Sequence, residues 1–62
     1  REGMVATAGS PLLLRAYPSI DGEIIGRIPN GASVEIYASY DGWYSVRYGE
    51  TLGYAAQAYI LG

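Results

Sequence analysis

The sequence predicts a small all-β barrel of five to six short antiparallel strands, with one short helical turn near the C-terminus. Three observations lead there. Nine glycines and three prolines in 62 residues cut the chain into short pieces. No window carries apolar residues at i, i+3, i+4 and i+7 without a glycine or proline interrupting it, so helix signals are nearly absent. The pieces themselves are strand-like, many alternating apolar with polar residues, and turn signals recur roughly every 6–12 residues. An immunoglobulin-like sandwich needs about 100 residues, and a five-stranded oligonucleotide-binding barrel is usually longer and more basic.

Taken in order, Met4-Val5-Ala6 forms a first short strand and Leu12-Leu13-Leu14-Arg15 the next. Ala16 to Glu23 is a loop containing Pro18, Ser19, Asp21 and Gly22. Ile24 to Ile28 is the third strand, and Gly26 inside it marks a bulge or sharp bend. Pro29-Asn30-Gly31 is a tight turn. Ser33 to Tyr37 is the cleanest alternation, with Val34 and Ile36 facing one way and Ser33, Glu35 and Tyr37 the other. Asp41-Gly42 marks a hairpin. In Trp43 to Tyr48, Tyr44, Val46 and Tyr48 share one face and Trp43, Ser45 and Arg47 the opposite one. Gly49-Glu50 turns the chain into Leu52 to Ala55. A single helical turn over Ala56 to Ala58 precedes a closing strand, Tyr59 to Leu61. The expected core is Val5, Leu12, Leu14, Ile24, Ile28, Val34, Ile36, Val46, Ala55 and Ile60.

Composition narrows the chemistry. Residues 1–62 are read as a single domain, excised from a larger protein, that buries only about 60% of its unfolded surface and is therefore marginally stable. There is no cysteine and no histidine, so most nucleophilic and metal constellations are excluded and no cofactor is expected. The serines have no histidine to activate them. Four arginines (Arg1, Arg15, Arg27, Arg47) are scattered; even if a folded sheet gathers Arg15, Arg27 and Arg47, three charges against six carboxylates, on a chain of net charge −2, make a weak nucleic-acid footprint. No apolar run approaches the ~20 residues of a membrane span, and the first residues do not read as a signal peptide. Arg15 is expected to pack on aromatic rings or pair with a carboxylate, and Asp41 to stabilise its turn by side-chain hydrogen bonding.

What stands out is rings. Seven tyrosines, one tryptophan and no phenylalanine give nearly every ring a polar tip, which favours half-exposed positions, apolar body inward and hydroxyl in water. Trp43 is either a groove anchor or a cover on the open end of the core. Tyr17 and Tyr40 fall in predicted loops and are candidates for a groove rim. Tyr44 and Tyr48, on the face of Val46, read as structural, and Tyr37 is undecided. Asp21 and Glu23 either attract a cationic ligand group or are a solvated loop.

The motifs resemble the bacterial Src-homology-3 (SH3b, SH3-like) domain family. A segment like Leu-Asn-Val-Arg-Ser-Gly-Pro-Ser is matched by Leu12, Leu14, Arg15, Pro18 and Ser19, with Leu13, Ala16 and Tyr17 departing from it. Val-Ile-Gly-x-Leu-x-x-Gly is matched by Ile24, Ile25, Gly26, Ile28 and Gly31. Gly-Trp-Tyr-x-Val is matched by Gly42, Trp43, Tyr44 and Val46, and Gly-Tyr followed by a Tyr-Ile ending by Gly53, Tyr54, Tyr59 and Ile60. The resemblance runs from about residue 4 to residue 61. It implies a non-catalytic binding module, outside the cytoplasm, that holds a parent protein on cell-wall peptide or glycan. In eukaryotic peptide-binding relatives the rings corresponding to Trp43, Tyr54 and Tyr59 lie in the ligand groove; the groove proline of those relatives falls at Ala56, which disfavours proline-rich ligands. The expected ligand-binding set is thus Trp43, Tyr54, Tyr59, Tyr17, Tyr40, Asp21 and Glu23. Two alternatives stand beside it: a module binding an extended protein segment or the parent's own catalytic domain, and a structural or dimerisation domain. Oligomeric state is left open.

Overall fold

The computed structural model describes residues 1–62. It contains seven strands: β1 (Glu2–Val5), β2 (Leu12–Arg15), β3 (Ile24–Ile28), β4 (Ser33–Tyr40), β5 (Trp43–Tyr48), β6 (Thr51–Ala56) and β7 (Ile60–Leu61), with one 3-10 turn at Gln57–Tyr59. All pairings are antiparallel, in the order β3-β2-β6-β5-β4-β1-β7. Laid flat at about 4.8 Å per strand, such a sheet would hold its edges about 29 Å apart. Yet Ile28 of β3 and Ile60 of β7 belong to one core cluster. The sheet therefore curls on itself into a barrel whose Cα extents are 24 × 22 × 22 Å.

The core is Val5, Leu12, Leu14, Ile28, Val34, Ile36, Tyr44, Val46, Ala55 and Ile60, with Ala32 and Tyr48 packed against it. It differs from the expected set at two positions. Tyr44 is buried on the face of Val46, as alternation places it; its hydroxyl accepts a hydrogen bond from Arg1 Nη2 at 3.0 Å, so the polar tip is satisfied. Ile24 is a correction: it is 42% exposed. The cause is a bulge. Leu14 pairs with Gly26 but Arg15 pairs with Ile24, which leaves Ile25 as an extra residue on β3. The inward phase that holds at Ile28 and Gly26 is lost there, and Ile24 comes to lie opposite outward-facing Arg15.

Other differences are local. β1 begins at Glu2 and ends at Val5, the closing strand starts at Ile60, and β4 continues to Tyr40, so Tyr40 is a strand residue and not a loop residue. The β4–β5 hairpin has only Asp41 and Gly42 between paired Tyr40 and Trp43. Their φ values of 45° and 91° are those of a type I′ turn, the form whose twist suits a two-residue hairpin. Asp41 thus serves by tolerating the left-handed backbone, in place of the side-chain bond expected of it. Arg15 neither stacks nor pairs with a carboxylate: its Nη1 donates to the Gly22 carbonyl at 2.9 Å and, with Ala16 N–H donating to Glu23 O at 2.8 Å, closes the 16–23 loop.

Gly53 is where β2 crosses β6. It pairs with Val46, so it faces the core. A Cβ there would lie 2.8 Å from both Arg15 O and Leu14 Cγ. The absence of a side chain lets the barrel close.

Candidate functional site: an aromatic sheet face

Strand register assembles the outer face of β4, β5 and β6. On β5, Trp43, Ser45 and Arg47 point outward. Their partners on β4 are Tyr40, Ala38 and Glu35, and on β6 Ala56, Tyr54 and Leu52. Residues directly opposite share a face, so the outer surface reads as rings at one end and, at the other, Arg47 between Glu35 and Leu52. A second bulge enriches it. Ile36 pairs with Val46 and Ala38 with Ser45, which leaves Tyr37 as the extra residue. Tyr37 is 56% exposed, and its hydroxyl accepts a hydrogen bond from Arg47 Nε at 3.0 Å.

Tyr40 and Tyr54 meet edge to face, with centroids 5.7 Å apart and planes at 70°, the geometry that ring quadrupoles favour. Trp43 is half-buried opposite Tyr40. Beside these rings lies an open depression of about 450 Å³, lined by Tyr37, Arg47, Leu52 and Tyr54 together with the small residues Ala16, Ser45 and Gly53. Tyr54 belongs to both the aromatic group and the depression.

The structure thus brings Tyr40, Trp43 and Tyr54 together on one face. Tyr59 is half-exposed at the end of the 3-10 turn. That turn is tied to the hairpin preceding Trp43, because Gln57 N–H donates to Gly42 O at 2.9 Å. Tyr17, Asp21 and Glu23 are exposed on the 16–23 loop. The loop leaves the sheet at Arg15, which lies opposite Tyr54, so it borders the same face. Of the lining residues only Tyr54 is among the expected ligand-binding residues; Ala16, Tyr37, Ser45, Arg47, Leu52 and Gly53 are not. Part of the signal was there: alternation already sets Ser45 and Arg47 on the side of Trp43. What alternation cannot supply is the cross-strand register that adds Leu52, or the bulge that adds Tyr37.

Electrostatically the face is simple. Arg47 donates from Nε to Tyr37 and from Nη1 to the Gly49 carbonyl at 3.0 Å, and no carboxylate lies within ion-pair distance of it. The hydrogen bond to Tyr37 holds the guanidinium, which is charged in any arginine, above its ordinary value. Glu35, its cross-strand neighbour, turns instead to the Arg1 ammonium at 2.8 Å. That hydrogen bond, with the attraction of the same charge, holds its carboxyl below the ordinary value.

A curled antiparallel barrel with two-residue hairpins, a 3-10 turn before the last strand and an outward aromatic face defines a small barrel of the Src-homology-3 type. The sequence matches the family model of the bacterial SH3 domain over residues 10–60, and the chain belongs to that family. Domains of this family are generally binding modules. No curated protein matches the chain. The match begins at Ser10 and leaves β1 outside, although β1 lies between β4 and β7 in the sheet.

Proposed function

We propose that this domain recognises bacterial cell-wall peptidoglycan, peptide or glycan, without chemistry of its own, and holds a parent protein on the wall outside the cytoplasm. The observation that carries the reading is the outward cluster of Tyr40, Trp43 and Tyr54 next to an open depression on the same sheet face. Rings with polar tips give an extended, partly polar ligand contact area at low entropic cost. Tyr17 and Tyr59 flank this shelf, and Asp21 and Glu23 offer negative charge to the free amines of a wall peptide. Membership of the bacterial SH3 family supports a binding role. A shallow site binds modestly, and tethering to a parent protein or repetition along it raises the effective affinity.

Co-sedimentation with purified peptidoglycan tests the reading. The domain should pellet with the wall polymer, and Trp43→Ala should remain soluble and folded. Retention of neither the domain nor its parent protein on the polymer contradicts it, and would favour recognition of an extended protein segment.

A further inference from the structure

The depression beside the rings differs from the rest of the face in having a cation fixed at its edge. We propose that it holds the free carboxylate end of a small-residue wall peptide, with Arg47 as the carboxylate anchor and Tyr37 as the residue that positions it. The proposal rests on the wall-binding reading above and adds the part of the ligand that this site takes.

Three features carry it. First, Arg47 is oriented before any ligand arrives: Nε is tied to Tyr37 Oη and Nη1 to Gly49 O, each at 3.0 Å. These bonds leave Nη2 and the second Nη1 hydrogen without a partner, and a guanidinium with adjacent free N–H groups matches the two oxygens of a carboxylate. Second, no carboxylate of the chain lies within ion-pair distance of it. Glu35 lies opposite it on β4 but is taken up by the Arg1 ammonium at 2.8 Å, so on a domain of net charge −2 Arg47 is a fixed positive point outside any ion pair. Third, the remaining walls are Leu52, the rings of Tyr37 and Tyr54 and the Gly53 backbone, with the small side chains of Ala16 and Ser45 keeping the space open. At about 450 Å³ the space suits a short peptide end with small side chains, near the lower end of ordinary ligand sites. Apolar walls with a cation at one edge complement an apolar chain that ends in negative charge.

The test is an NMR titration of the whole 62-residue domain with N-acetyl-d-alanyl-d-alanine, its C-terminal amide, and the l,l acid. The d,d acid should shift the Arg47 Nε–H, Ser45 and Leu52 signals and bind roughly fivefold more tightly than the amide, as expected for an exposed charge-assisted contact. Its affinity should fall as salt is raised, while that of the amide should not. Arg47→Gln should erase the difference between acid and amide with an unchanged melting temperature. Tyr37→Phe, which frees Arg47 Nε, should reduce that difference. Equal binding of acid and amide overturns the proposal, as does an acid effect that survives Arg47→Gln. Tighter binding of the l,l acid also overturns it, in favour of a protein C-terminus. If the domain still sediments with peptidoglycan in these cases, the wall-binding reading stands and only the carboxylate site falls.

Discussion

At Gly53 two strands approach closely enough that a single added carbon decides stability. A Cβ would be 2.8 Å from a backbone oxygen of β2, which has no rotamer to move away. Gly53→Ala should therefore cost roughly 1–3 kcal/mol, as overpacking does. In a domain this small that lowers the melting temperature by at least about 4 °C, readable by circular dichroism. Gly26→Ala is the internal control. Its Cβ would meet only Leu14 side-chain carbons, at 3.6 and 3.8 Å, with no positive φ to oppose it. It should be neutral or stabilising by about 0.4–1 kcal/mol, through a less flexible unfolded chain. Leu14→Ala, at a residue 1% exposed, should cost about 2–5 kcal/mol, a large share of what such a domain has. Which aliphatic residues face inward was legible from alternation alone, because most strands keep strict phase. Ile24 was not, because a bulge leaves no mark in composition beyond the glycine beside it.

At the scale of elements, β1 shows how far the domain extends beyond the recognisable family segment. It supplies Val5, fully buried, and bridges β4 to β7. Val5 also donates to Ala32 O at 2.9 Å and accepts from Gly31 N–H at 2.7 Å, which ties the strand to the turn after β3. A chain beginning at Ser10 should lose its dispersed amide spectrum and its cooperative melt, whereas the 62-residue chain keeps both. The hairpins were legible because Asp41-Gly42 and Gly49-Glu50 carry turn chemistry that few other dipeptides offer. Strand ends were less so: β4 runs to Tyr40, three residues beyond the clean alternation, because its bulge at Tyr37 breaks the visible pattern without ending the pairing.

For the molecule as a whole, function depends on what the barrel brings to one side. Trp43, Tyr40 and Tyr54 were each visible as candidate rings, and the fold sets them on one face. The neighbouring depression was not visible, since it draws on Ala16, β4, β5 and β6 at once and on a register that no single strand encodes. The half-buried position of Trp43 implies that Trp43→Ala should cost well under the about 3–5 kcal/mol of a fully buried ring, measurable by urea denaturation, while abolishing retention on peptidoglycan. The most direct test of the central claim is an amide and indole chemical-shift map of the domain titrated with soluble muropeptides. Saturable shifts at the Trp43 indole N–H, Tyr40, Ser45 and Tyr54, spreading to the 16–23 loop, are the predicted result. Shifts confined to the β1–β7 edge, or none at millimolar ligand, would contradict the claim that this sheet face is the working surface.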